Sequence, residues 1–412
     1  MQYSPQQEDA LKKVNKWIKD PNGKQVFKLW GYAGTGKTSI AKEFAESVSG
    51  MTLFCAFTGK AAYVLKSKGC DNASTIHSLI YLATGKSRER LKKANTELDK
   101  RATYLMGKGY TTKDLGNDHE FKVLKSNVDA EKKLLNQPRW TLDPMSCVKD
   151  AALVVVDESS MVNEKMGMDL ESFKTKILVL GDPAQLPPVY GAGYFMGGAK
   201  PDVVLTEIHR QARDNPILHL ATLVIEGGML KAGDYGESVV TRSVNAKDAL
   251  SADQILVGKN SSRHVNNNRI RQLKGYESEY PQPGDRVVCL RNNHELGLLN
   301  GSQWMVTGAH RAGKEALCLG ISPEQAEMGM DNEVVCHANL FLGTELKNLN
   351  PWKAKDYEAF DYGYALTVHK AQGSQWDDVL LFDQSGCFRQ NAAKWLYTGL
   401  TRAAKKVRVI LG

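Results

Sequence analysis

Nowhere does the chain carry about 18 consecutive apolar residues, the length a helix needs to cross a bilayer, so neither a spanning helix nor a membrane partner is expected. The first residues, Met1 to Asp9, lack both a basic segment and an apolar one, which argues against a signal peptide and for a cytoplasmic protein. Cysteine is sparse: seven residues, at 55, 70, 147, 289, 318, 336 and 387, with no CxxC pair. An odd, scattered set of this kind reads as reduced, buried thiols, not as a disulfide framework. Cys336-His337 has no further ligands at zinc-type spacing, so no such site is expected. Internal repeats and low-complexity tracts are lacking too, which leaves a chain of ordinary globular composition, 42% hydrophobic and 24% charged. Its 412 residues suffice for roughly three domains.

The net charge of +8 is mildly basic and compatible with a nucleic-acid partner. It is unevenly spread. From Gly85 to Trp140 there are fourteen Lys/Arg against eight Asp/Glu, a surplus of +6 that leaves only +2 for the rest.

Hydrophobic patterning gives an α/β order. Val26 to Trp30 and Thr52 to Phe57 are strand candidates, and Ser39 to Val48 has a helical pattern. Leu153 to Val156 and Ile177 to Leu180 are continuous apolar runs, as strands buried on both faces require. Strands alternating with helices predict a parallel sheet whose ligands lie beyond the strands' carboxyl ends. Residues 86–137 break this rhythm. Leu91, Ala94, Leu98 and Ala102 follow helical spacing, as do Phe121, Leu124, Val128 and Leu135, with Gly107, Gly109 and Gly116 between the two sets. A basic helical hairpin inserted in the first α/β domain is predicted. A second α/β region starts near Pro201, with strands at Ile255–Val257, Val379–Phe382 and Val407–Leu411. Inside it, Gly284–Val288 and Asn300–Val306 predict a small β-domain over 286–358.

Three motifs carry chemistry. Gly31-Tyr-Ala-Gly34-Thr35-Gly36-Lys37-Thr38, between a strand and a helix, is a P-loop of form GxxxxGK[ST]. Its glycines let backbone N–H groups wrap phosphates, Lys37 reaches the β/γ-phosphates and Thr38 offers a hydroxyl to Mg²⁺, so ATP and Mg²⁺ are the expected cofactors. Val156-Asp157-Glu158 closes a buried strand. There Asp157 would hold the Mg²⁺ shell through water, and Glu158 would polarise the attacking water. Gly181-Asp182-Pro183-Ala184-Gln185 ends the next strand, placing Gln185 to touch the γ-phosphate or that water.

With further segments, this ordered set resembles a superfamily 1 helicase of the 1B branch typified by RecD and the phage Dda helicase, over most of the chain. Gln7 resembles the adenine-reading glutamine that precedes the P-loop, Phe57–Ala62 resembles motif Ia, and Ser74–Ser78 motif Ib. Leu205–Arg210 resembles motif IV, Ala365–Ser374 motif V and Leu396–Ala403 motif VI. The resemblance implies that Arg210 and Arg402 approach the γ-phosphate and that Gly373 joins the nucleotide site. It implies single-stranded DNA contacts at Thr58, Lys60, His77, Pro187, Thr367, His369 and Lys370, with Pro187 and Pro188 also serving as stiff packing near the strand path. Trp304 and Trp352 are base-stacking candidates or, as is commoner for tryptophan in a small β-domain, core. Two departures stand out. Gln375 replaces the Glu of many relatives, and the 1B wedge gives way to the basic hairpin, in which Tyr104, Tyr110 and Phe121 are weak wedge candidates.

The implied architecture is α/β: two RecA-like P-loop NTPase domains with a helical insert in the first and a small SH3-like β-domain inserted in the second. The first domain spans 1–200 with the insert at 86–140. The second spans 201–285 and 359–412, with the β-domain at 286–358. The implied activity is ATP-dependent, 5′→3′ unwinding by a monomer acting on single-stranded DNA and duplex junctions, in company with replication or recombination proteins. Its setting would be the cytoplasm, that of the host if phage-encoded. An ATP-switched clamp, or a translocase that separates no strands, stands as the alternative.

Overall fold

The computed structural model describes residues 3–83, 88–111, 114–136, 140–187, 193–197, 200–207, 215–293, 296–324, 330–344, 348–349 and 357–412. It contains two compact units, residues 77–147 and the remainder.

In the larger unit the first sheet has six parallel strands in the order Ser74–Thr75, Thr52–Ala56, Leu153–Asp157, Ile177–Gly181, Val26–Gly31, Val203–Leu205. Its central strands are apolar throughout because helices cover both faces; Leu153 to Val156 are all fully buried. Val203–Leu205 pairs with the P-loop strand, three residues past the boundary expected at 200. The second sheet runs Ala365–Thr367, Gln254–Val257, Trp376–Phe382, Ala403–Ile410, Ser238–Thr241, Gly233–Tyr235, and only the last pairing is antiparallel.

The third sheet is an antiparallel meander in the order Asn332–His337, Ala316–Pro323, Gln303–Arg311, Arg286–Cys289, Phe360–Tyr362. Phe360–Tyr362 lies outside the expected 286–358 segment, because the returning chain pairs with Arg286–Cys289 before rejoining the second sheet. Trp304 is fully buried here and donates its indole N–H to Ser302 Oγ at 2.8 Å. It is a core residue and cannot stack on a base. Trp352 lies outside the described residues.

Cys55, Cys70, Cys289 and Cys336 are buried as expected of inert thiols, but Cys147 and Cys387 are exposed, contrary to that expectation. Among the described residues no helix is long and apolar enough to cross a membrane.

The smaller unit pairs two helices, Arg88–Gly107 and His119–Asn136, closed at the base by antiparallel strands Tyr81–Ala83 and Trp140–Leu142. Among its described residues Ile80, Leu105, Leu115 and Val128 are buried. Polar staples supplement them. Arg101 forks onto Asp118 at 3.1 and 2.7 Å, and Asp118 also accepts from the Phe121 N–H at the second helix's start. Tyr104 and Tyr110 are exposed, with Arg101 and Lys108 lying against the Tyr104 ring.

Candidate nucleotide site and nucleic-acid cleft

The P-loop links strand Val26–Gly31 to helix Lys37–Ser47. Gly34 and Gly36 have φ of +76° and +79°, a left-handed conformation that side chains disfavour. At Gly36 a Cβ would also lie 2.7 Å from Gln7 Nε2. Gln7 is spent on this architecture: its Oε1 accepts from Ser4 N in the capping box of helix Pro5–Lys19, and its Nε2 donates to Thr35 O at 3.0 Å. The side chain expected to read adenine thus braces the loop.

Lys37 Nζ donates to Gly31 O and Tyr32 O at 2.6 and 2.9 Å and lies 3.9 Å from Asp182 Oδ2. Thr38 donates its hydroxyl to Asp157 Oδ2 at 3.1 Å, while Asp157 Oδ1 accepts from Glu158 N. Glu158 has φ +51°, a strained value for a non-glycine residue, of the kind met at functional turns. Its carboxylate lies 3.9 Å from the Arg402 guanidinium. Burial pushes the Glu158 pKa up, with Asp157 and Asp182 adding to the rise and Arg402 and Lys37 opposing it.

Arg402 follows helix Ala392–Leu400 and is 6% exposed. Three donors fix it: Nε to Thr398 O, Nη1 to Ser374 O and Nη2 to Thr401 Oγ1, at 3.0, 3.2 and 3.3 Å. Tyr397, in the motif VI segment but assigned no role from sequence, proves to be a site residue. Its hydroxyl donates to Asp182 Oδ2 and accepts from Ala33 N, both at 2.7 Å, joining the P-loop to the second α/β region. A tyrosine between apolar helix residues reads as core, and only the fold reveals its polar end. The loop after strand Ile177–Gly181 is held likewise, with Leu186 N donating to Thr398 Oγ1 and Leu186 O accepting from Gln372.

A cavity of 190 Å³ gathers Lys37, Asp157, Glu158, Gln185, Gly373 and Arg402, with Thr38 and the exposed Gln375 also on its wall. Gln185 is 8% exposed, and its buried Oε1 has no hydrogen-bond partner among the described residues. Arg210 lies outside the described residues.

A second cavity, of 610 Å³, is walled by all three sheets' segments. Phe57, Thr58 and Lys60 come from the first, Val288 to Leu290 from the antiparallel sheet, and His369 and Lys370 from the second α/β region. Thr58 caps helix Gly59–Ser67 by accepting from Ala61 N. Burial lowers the pKa of His369, which keeps its half-buried ring neutral near pH 7. Lys370 is exposed, whereas Lys60 is buried. Thr367 is buried and its hydroxyl accepts from Lys370 N; neither it nor Pro187 is among the described residues on the cleft wall. His77 belongs to the smaller unit, where it packs on Tyr81 and Trp140.

Fold and side chains together define a P-loop protein with paired RecA-like α/β domains. More narrowly, the chain belongs to the AAA domain family, whose model matches residues 2–238; a UvrD-like helicase C-terminal domain model matches 362–410. It is 27% identical to the ATP-dependent RecD2 DNA helicase of Deinococcus radiodurans, over 92% of this chain and 46% of that protein. The chain therefore spans about half the length of that relative. Among solved structures, it is similar to a Pif1 helicase described in DNA unwinding at forked duplexes, at TM-score 0.52 and 15% identity, covering 100% of this chain and 92% of that one. It is also similar to a Bacteroides Pif1 helicase in complex with ADP-AlF3 and single-stranded DNA, at TM-score 0.50 and 14% identity, covering 99% and 92%.

Proposed function

We propose that the chain is an ATP-dependent DNA helicase moving 5′→3′ along single-stranded DNA. One observation carries this reading: Arg402 and Tyr397 of the second α/β region meet Lys37, Glu158 and Asp182 of the first, beside a cleft walled by both regions. A phosphate-dependent shift of one region against the other would then move one strand grip past the other.

Lys37 and the loop amides bind the ATP phosphates, Glu158 takes a proton from the attacking water, Gln185 orients that water, and Arg402 draws charge from the γ-phosphate. Arg210, from motif IV, is assigned the same task as Arg402. Thr38 and Asp157 offer the hard oxygens that suit Mg²⁺, which when bound neutralises phosphate charge. Among the described residues no cluster of three or more His, Cys, Asp or Glu forms a closed cage, so phosphate and water would complete the shell. Thr58, His369 and Lys370 contact the strand, and the resemblance adds His77.

The relatives named as DNA helicases support the reading. The test is ATP-dependent displacement from duplexes bearing a 5′ or a 3′ single-stranded tail. Displacement from the 5′-tailed substrate alone is expected. Displacement only from the other tail overturns the polarity, and ATP turnover without displacement favours the clamp.

Glu158→Gln is expected to slow hydrolysis about 100-fold or more while raising the melting temperature slightly above pH 7. The sign follows from the raised folded-state pKa. Stability tied to protonated Glu158 is full below its unfolded pKa and falls as pH rises through the folded value, so the neutral amide relieves that cost. Turnover together with thermal melting checks both halves.

The hairpin's basic surplus supports contact with the phosphate backbone. Deleting residues 86–137 is expected to weaken DNA binding and flatten its salt dependence, each lost contact lowering the log–log slope by about 0.7–0.9. An unchanged affinity and slope would instead mark the hairpin as a protein-docking arm.

A further inference from the structure

The motif resemblance makes Lys60 a DNA contact, yet only 5% of it is exposed. It sits in the first turn of helix Gly59–Ser67, where the helix dipole disfavours a cation. Its ammonium lies 4.3 Å from the ring centroid of Trp376, which comes from the second α/β region. Burial lowers its pKa to about 8, with Glu324 opposing the shift and Arg286 reinforcing it. Burying a lysine at a helix N-terminus is costly, and the contact with the Trp376 ring offsets part of that cost.

That partner is a junction. The Trp376 indole donates to Gln303 Oε1 of the antiparallel sheet at 3.0 Å, and Gln303 in turn donates to Gln254 Oε1. The Trp376 backbone N–H donates to the carbonyl of Arg402 at 2.9 Å. Nearby, a Cβ at Gly373 would lie 2.8 Å from Thr58 Oγ1, so the two α/β regions approach closely along this seam. Lys60 also borders the larger cleft, while the Arg402 side chain borders the nucleotide cavity.

We infer that Lys60 and Trp376 form a clasp that couples strand occupancy of the cleft to the placement of Arg402. They are positioning residues, and Lys60 makes no phosphate contact. The inference rests on the helicase reading. Lys60→Met is expected to lower single-strand-stimulated ATP turnover about tenfold. The salt slope of single-strand binding should stay unchanged, whereas loss of a phosphate contact would lower it by about 0.7. Lys60→Arg, which keeps a cation over the ring, should restore turnover. Trp376→Phe, the milder variant should Lys60→Met not fold, removes the indole donor and should lower stimulated turnover severalfold. A reduced slope in Lys60→Met, or unchanged stimulation in Lys60→Met or Trp376→Phe, overturns the clasp. A wild-type protein whose turnover DNA does not stimulate overturns the helicase reading instead.

Discussion

Lys37→Ala is expected to turn over ATP at least about a thousandfold more slowly than the wild type and to displace no strand. Lys37 is the cation held at the mouth of the P-loop, bonded to Gly31 O and Tyr32 O and 3.9 Å from Asp182. These are weak anchors for an ammonium compared with phosphate oxygens, so bound nucleotide takes the side chain over. Truncation removes the charge that both binds and polarises the phosphates, and nucleotide affinity should fall along with turnover. The side chain contributes little to the core, so melting should stay near that of the wild type. Steady-state hydrolysis and strand displacement provide the check, and normal unwinding by this variant excludes the site as the motor.

Arg402→Ala is expected to separate binding from chemistry. Nucleotide affinity should hold within a few-fold while turnover drops about 10³-fold or more, the range seen when an arginine that meets a transferring phosphoryl group is lost. Lysine should not rescue it. The guanidinium is held by Nε, Nη1 and Nη2 on three different acceptors, a planar geometry an ammonium cannot copy. A second signature follows from Glu158. Arg402 pulls the Glu158 pKa down against burial, so its loss lets that pKa rise further. Residual turnover should then fail at a higher pH on the acid side than wild-type turnover does. Fluorescent-nucleotide binding alongside a pH–rate profile measures both.

Much of the fold was legible because its signals are local. The apolar runs at Leu153 and Ile177 read as strands covered on both faces, and the 3.6-residue spacing from Leu91 and from Phe121 marked the hairpin helices. Asp157 ends a strand; Lys37, Thr38, Glu158 and Gln185 lie in segments that follow one, and they do meet in one cavity with Arg402. Long-range facts were hidden. Nothing local says that Val203–Leu205 edges the first sheet or that Phe360–Tyr362 completes the third. Tyr397 has an apolar neighbourhood in sequence and a polar contact in space. Lys60 fits a DNA-contacting motif yet lies under a tryptophan more than 300 residues away along the chain. Cys147 and Cys387 show that scarcity of a residue type says little about its burial.

In the proposed function, one nucleotide site completed by two α/β domains is driven by DNA lying across them. ATP turnover measured with and without single-stranded DNA tests it most directly. Stimulation of about tenfold or more is expected, and it should vanish in Arg402→Ala. Equal rates with and without the strand would contradict the proposed function.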